Sequence, residues 1–224
     1  MKYRHEFKHR VSMADYYVLR NRLKHIMKFD PNSDKDGKYI IRSLYFDNYK
    51  DKALREKIDG LDVREKFRIR YYNFDTSFIR LEKKMKRKGL NKKISENLTY
   101  EEARAIINTD WNKMQLIEKP LVMELCSKMK SEQLRGRTIV QYIREAYVYK
   151  PGNVRITFDS QLKTGLFSTD LFNENAPLSR LMEETALLEV KFDEFIPDNI
   201  LKLLQLGNRT ASAFSKYAVC RTYG

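Results

Sequence analysis

The stretch "REKFRIRYY", residues 64–72, decides how the chain is read. In an extended chain successive side chains point to opposite faces. Arg64, Lys66, Arg68 and Arg70 therefore share one face, and Glu65, Phe67, Ile69 and Tyr71 share the other. One face is wholly cationic. Like charges held in a row along a sheet repel, so this row is either bathed in water or turned toward an anion.

The same alternation returns along the chain. Arg4, Glu6 and Lys8 alternate with Tyr3, His5 and Phe7; Arg80, Glu82, Lys84 and Lys86 alternate with Ile79, Leu81, Lys83 and Met85. Tyr142 and Arg144 share a face. Arg155, Thr157 and Asp159 alternate with Val154, Ile156 and Phe158, and Glu189, Lys191 and Asp193 with Leu188, Val190 and Phe192. Period-2 runs predict strands near 2–9, 38–47, 64–73, 77–87, 91–95, 137–149, 153–160 and 186–193, about eight in all, with Pro151-Gly152-Asn153 as a turn between two of them.

Helices fall between these runs. Ser12 with Asp15 reads as a capping box for a helix to about Met27, with Leu19, Leu23 and Ile26 on one face. Thr99 with Glu102 repeats the signal for a helix to about Asn108. Residues 120–132 and 198–206 read as helices too, the last closed by Gly207. The expected class is α+β, a large antiparallel sheet with helices packed around it.

Composition narrows the partners. The 224 residues carry 42% hydrophobic side chains, few Gly and Pro, and no linker or repeat, which predicts one domain spanning 1–224. A formal charge of +14, from 44 Lys and Arg against 30 Asp and Glu, predicts a polyanionic partner: nucleic acid, an acidic membrane surface or free phosphates. Two cysteines, Cys126 and Cys220, are too few for a thiolate metal site. Without a signal peptide or a membrane-spanning run, the expectation is a soluble cytoplasmic protein with reduced thiols.

A half-exposed sheet, apolar side inward and charges in water, fits the bare pattern. Two features favour another arrangement. The charged faces are mostly basic with glutamates among the cations, and the amphipathic helices suffice to cover the apolar face. A sheet closed into a barrel, charges inside and helices outside, uses both. Removing a charge from water costs several kcal/mol per ion, so such an interior must be wet, internally paired or filled by an anion. A polyphosphate matches: guanidiniums grip its oxygens bidentately and lysines add point charge. Carboxylates in that lining make sense where they hold a divalent metal that bridges to phosphate.

The ordered segments "YRHEFKH" at 3–9, "IRSLYFDN" at 41–48, "EKFRIRYY" at 65–72, "IRLEKKMKRKG" at 79–89, "VQYIREAY" at 140–147, "VRITFD" at 154–159, "LLEVKF" at 187–192 and "SKY" at 215–217 resemble the VTC domain. That family is the polyphosphate polymerase branch of the triphosphate tunnel metalloenzymes, also called CYTH-like. The resemblance implies an eight-stranded antiparallel tunnel that binds a triphosphate with Mg²⁺ or Mn²⁺. It also implies transfer of the γ-phosphate of ATP to a growing polyphosphate chain. On that resemblance Lys8, Arg68, Arg70, Lys84, Arg144 and Arg155 grip phosphates. Tyr142, Lys191, Ser215, Lys216, Arg64 and Lys66 contact substrate, and Glu189 holds the metal with Glu6 and Glu82 beside it. ATP, triphosphate and polyphosphate are the implied ligands, with no specific nucleic acid and no membrane segment.

The chain departs from the family patterns at two places. The strand-one ExExK signature of the hydrolytic branch reads Arg4-His5-Glu6-Phe7-Lys8, with Arg in place of the first Glu, which favours the polymerase branch. Where polymerases carry a Lys two residues before the Ser of "SKY", this chain has Ala213. Triphosphate hydrolysis and non-catalytic polyphosphate binding remain open beside polymerisation. A nucleic-acid binder ranks last, because the cations follow strand parity rather than gathering in basic tails. Residue by residue, plainer roles also stand: Glu189 as a lysine's partner, Arg68 and Arg70 in water, Tyr142 in packing. Asp47 and Asp159 read as turn or ion-pair residues, and Trp111 with the Met-rich stretch 114–130 as helix packing. His5, His9 and His25 show no metal spacing, and His5 reads as a core or interface histidine.

Overall fold

The computed structural model describes residues 5–87, 90–182, 184–205 and 214–223. Elements follow in the order β1 (His5–Ser12), α1 (Met13–Leu23), β2 (Lys28–Phe29), β3 (Lys38–Asp47), α2 (Lys52–Ile58), β4 (Arg64–Tyr72), β5 (Asp75–Arg87) and β6 (Leu90–Leu98). Then come α3 (Tyr100–Ile107), α4 (Trp111–Met114), α5 (Pro120–Ser131), β7 (Arg135–Tyr149), β8 (Val154–Thr164), β9 (Ser179–Arg180), β10 (Thr185–Phe192), α6 (Asp198–Leu204) and α7 (Lys216–Thr222). The class is α+β with a large antiparallel sheet.

Strand pairing follows the path β1-β10-β8-β7-β3-β4-β5-β6, with the two-residue strands β2 and β9 pairing β7 and β8. These eight long strands correspond to the eight runs of alternation. The expected closure of a barrel is not made by hydrogen bonds: among the described residues no ladder joins β1 to β6. Strand β6 has the character of an exposed edge, since Lys92, Lys93 and Glu96 give it charges that discourage further pairing.

The chain clusters into two compact units. Unit 1 comprises residues 1–40, 142–162 and 182–215; unit 2 comprises 41–141, 163–181 and 216–224. Strands β3, β7 and β8 contribute to both.

In unit 1, β10 lies between β1 and β8, and the apolar parity of these strands supplies Val11, Val190, Leu188, Ile156 and Phe158 to a core closed by Leu19, Leu23 and Ile200 of α1 and α6. Burying one leucine of this kind contributes about 2 kcal/mol. The Ser12–Asp15 capping box forms in both directions and starts α1. That helix ends at Leu23, before the expected Met27. The earlier end changes the angular phase, so Ile26 is exposed and Met27 is buried in its place. Gly152 turns the chain between β7 and β8 at a φ of +68°, where an added Cβ would lie 2.3 Å from the Phe195 carbonyl oxygen. The expected Gly207 cap, like Tyr3, Arg4 and Ala213, lies outside the described residues.

In unit 2 the apolar parity of β3, β4 and β5 brings Leu44, Phe46, Phe67, Ile69 and Leu81 against α3 and α5, which contribute Ala103, Ile106, Leu121, Val122, Leu125 and Met129. The Thr99–Glu102 capping box starts α3, and Pro120 stands in the first turn of α5. Lys83 falls on the apolar parity yet is buried. Its ammonium pairs with Glu65 at 2.8 Å and with Glu124 of α5, so the charge under the helix is compensated.

Candidate functional site

Each unit presents a charged sheet face opposite its core. In unit 2 the register sets Lys66 opposite Lys84 and Lys84 opposite Lys93, so three lysines line up across three strands, and Arg64 lies opposite Lys86. Cross-strand like charges destabilise a sheet. One register step away, Arg68 lies opposite Glu82.

Glu82 is the anchor of this face. It is 2% exposed, accepts from Arg68 Nε at 2.7 Å and Lys93 Nζ at 3.1 Å, and lies 3.8 Å from Arg70. Burial alone would raise its pKa, but Arg68, Arg70 and Lys93 outweigh it and hold the carboxyl well below the usual range. Arg70 Nε donates to Ser43 Oγ at 3.0 Å, and Arg68 NH1 donates to Tyr45 Oη at 2.6 Å. Tyr45 is the consequence. Burial pushes its hydroxyl up, and Arg68, Lys66 and Arg70 more than offset that, bringing its pKa down to about 7. Tyr45 also stacks on Tyr217 of α7 at 5.0 Å, whose hydroxyl donates to Asp47 at 2.6 Å.

In unit 1 opposite charges face each other across the β1–β10 ladder, while Lys191 lies opposite Arg155 on the β10–β8 ladder. Lys8 lies opposite Glu189 and Glu6 opposite Lys191 across the β1–β10 ladder. Lys8 Nζ is 3.0 Å from Glu6 and 3.7 Å from Glu189; Lys191 is 3.6 Å from Glu6 and pairs closely with Glu189. Arg144 forms a bidentate pair with Asp159, at 2.6 and 2.8 Å, and its guanidinium lies 5.5 Å from the Tyr142 ring centre. Burial opposes the charge on Arg144, but Asp159 prevails and keeps the guanidinium's pKa raised. Arg155 lies 2.6 Å from Asp30 and donates to Tyr39 Oη at 2.9 Å.

The structure thus gathers Glu6, Lys8, Tyr142, Arg144, Arg155, Glu189 and Lys191 on elements of unit 1, and Arg64, Lys66, Arg68, Arg70, Glu82 and Lys84 on β4 and β5 of unit 2. Ser215 closes the last segment of unit 1, and Lys216 opens α7 in unit 2. Tyr217 and Arg221 fasten α7 to Asp47 and Asp51. His5 stacks on Phe192 at 5.0 Å.

A hard divalent cation takes oxygen donors, one or two of them carboxylates. Glu189 and Glu6 are such donors on adjacent strands, and Thr157, directly opposite Glu189 on β8, has a buried hydroxyl with no hydrogen-bond partner in the protein. That donor chemistry fits a hard divalent cation. Among the described residues no group of three or more His, Cys, Asp or Glu gathers into a ready-made metal cluster. Glu82 is already held by two arginines and a lysine.

Sequence reasoning missed Ser43, Tyr45, Tyr39 and Lys93; its ion-pair reading of Asp159 holds, with Arg144 as the partner it did not name. The run "KYIIRSLYFD" of β3 is buried on both faces, and the parity that carries Tyr39, Ser43 and Tyr45 has no cation to mark it.

The VTC domain family model matches residues 3–223, and the chain belongs to that family. A crystal structure of a candidate adenylate cyclase from Bacillus halodurans shares the fold at 16% identity and a TM-score of 0.52, covering 85% of this chain and 80% of that one. The PH1012 protein of Pyrococcus horikoshii OT3 matches at 13% identity and a TM-score of 0.43, covering 91% of this chain and 85% of that chain. No curated protein matches the chain. Family membership supports a triphosphate-binding enzyme of the phosphotransfer type. Among the described residues no helix is long and apolar enough to cross a membrane.

Proposed function

We propose that this member of the VTC domain family transfers the γ-phosphoryl group of ATP to a polyphosphate chain, using Mn²⁺ or Mg²⁺. The observation that carries the reading is the row Lys66–Lys84–Lys93 with Arg68 and Arg70 beside it, a line of like charges that an extended phosphate anion neutralises. Arg68 and Arg70 grip and orient phosphate oxygens, each already steadied by Glu82, Tyr45 or Ser43. On the other face Lys8, Arg144 and Arg155 do the same, with Tyr142 and Lys191 at its margin. Ser215, Lys216 and Arg64 contact the ends of the bound chain. The tunnel that the resemblance implies belongs to this proposal.

Glu189 and Glu6 would hold the metal, which when bound neutralises phosphate charge that the cations do not reach. Lys8 and Lys191, which pair with both carboxylates, would be available to the phosphates once those carboxylates held a metal. The terminal oxygen of the acceptor chain attacks the γ-phosphorus, the bond to the β,γ-bridging oxygen breaks, and ADP leaves with that electron pair. Phosphoryl transfer requires little covalent work of a protein, and positioning with charge neutralisation supplies the catalysis.

The test is incubation of the purified chain with ATP and Mn²⁺, with and without a short polyphosphate primer, and separation of products by size. Lengthening chains are expected. Orthophosphate without chains would replace polymerisation with hydrolysis. An inert chain that still binds tripolyphosphate would leave a binding module.

A further inference from the structure

Unit 2 also carries a cavity of about 630 Å³ that none of the residues assigned above lines. Its walls include Tyr49, Trp111, Met129, Lys130, Arg135 and Arg137. Trp111, read from sequence as packing, opens α4 and is only half-buried, with Lys130 Nζ 5.2 Å and the Arg135 guanidinium 5.8 Å from its ring centre. Tyr49 is 63% exposed. Arg137 reaches Asp51 only at 4.0 Å, because Arg221 holds that carboxylate at 2.9 and 3.1 Å, and Arg137 Nε is buried with no hydrogen-bond partner in the protein. The wall's acid, Asp47, is spent: its oxygens accept from the amides of Asn48, Ala53 and Leu54 and from Tyr217 Oη.

Three cations, two aromatic rings and a carboxylate already satisfied make a specific combination. Cations alone suit any anion, but rings beside them suit an anion that also carries a flat apolar group, since bases stack on aromatic and guanidinium planes. The volume falls in the range of small-ligand sites. We infer that this cavity is a second ligand site, separate from the charged sheet face, and that it takes a nucleoside phosphate of the size of ADP: phosphates on Lys130, Arg135 and Arg137, base against Tyr49 and Trp111. The inference does not depend on what the sheet faces bind.

Trp111 is the only tryptophan of the chain, so its fluorescence reports on this cavity. The purified chain is titrated with ADP in the absence of divalent metal, and in parallel with inorganic tripolyphosphate. ADP is expected to change Trp111 emission saturably and tripolyphosphate to leave it unchanged. Lys130→Glu and Arg137→Gln are each expected to raise the ADP midpoint about tenfold, with the denaturation midpoint showing that each variant folds. Lys66→Ala, on the sheet face, is expected to leave the ADP midpoint where it is, so this result and the loss of polymerase activity are read separately. The inference is overturned by an unsaturable or absent response, by an equal response to tripolyphosphate, by a midpoint insensitive to both cavity variants, or by a short oligonucleotide binding well below the ADP midpoint.

Discussion

The two charged faces solve the same electrostatic problem differently. In unit 1 each cation has a carboxylate near it: Lys8 and Lys191 with Glu6 and Glu189, Arg144 with Asp159, Arg155 with Asp30. In unit 2 the buried carboxylate of Glu82 is shared by Arg68, Arg70 and Lys93, while lysines face lysines across the next register position. A face balanced by its own acids is organised before any ligand arrives. A face with excess cations gains most from an anion. Under the proposed function, that difference suits the first face to holding a metal and the second to gripping phosphate.

Glu82→Gln is expected to have the largest effect. It leaves Arg68 and Arg70 without their charge partner, and removing one member of a buried pair costs about 3–5 kcal/mol. Urea denaturation measures the loss, and added tripolyphosphate is expected to restore part of it. The wild type carries the matching pH dependence. Because the folded carboxyl titrates below its unfolded value, Glu82 contributes stability above the ordinary carboxylate pKa and loses it as pH falls through the depressed folded pKa.

Glu189→Gln is expected to cut metal-dependent turnover about 100-fold, or about 2.7 kcal/mol of barrier, while tripolyphosphate binding without metal changes little. Steady-state rates over a Mn²⁺ titration and calorimetry give the two readings. Unchanged metal-dependent turnover would remove Glu189 from the metal site.

On stability, a smaller effect than that of Glu82→Gln is expected from Asp159→Asn. It keeps the shape around Arg144 but leaves a largely buried guanidinium without the carboxylate it pairs with, at about 3 kcal/mol of stability. Chemical denaturation checks the loss.

Tyr45→Phe is the subtlest. With a folded pKa of about 7 against an ordinary tyrosine value near 10, one tyrosine of the wild type is expected to form phenolate near neutral pH, seen in its ultraviolet absorbance and absent from the variant. Relative to the variant, wild-type stability rises from about pH 7 to about pH 10 and is lost as pH falls through 7. Saturating tripolyphosphate is expected to move this titration upward by covering the cations that cause it.

Where one face was charged and the other apolar, the alternation in the sequence located the strands closely: the run 186–193 is Thr185–Phe192, and 64–73 is Arg64–Tyr72. The same parity placed Arg68, Arg70, Lys84, Arg155 and Glu189 on charged faces. Strand pairing was not legible in that pattern. That Arg144 meets Asp159, or that Lys66, Lys84 and Lys93 stand in line, follows from register, which no local run encodes. Helix α4 spans 4 residues, too short for a 3.6-residue repeat to declare itself, and α2 and α7, of 7 residues each, are absent from the sequence reading. The Met-rich stretch 114–130 beside Trp111 reads as helix packing, and the cavity next to it depends on Lys130 and Arg135 arriving from later elements.

The most direct test of the account is calorimetric titration of tripolyphosphate into the metal-free chain and into the Lys66→Ala/Lys84→Ala double variant, repeated at two salt concentrations. Saturable binding, weakened at least about tenfold in the variant and less dependent on salt there, is the expected result. Absence of binding, or equal affinity in the two proteins, would contradict the assignment of this face as a phosphate grip.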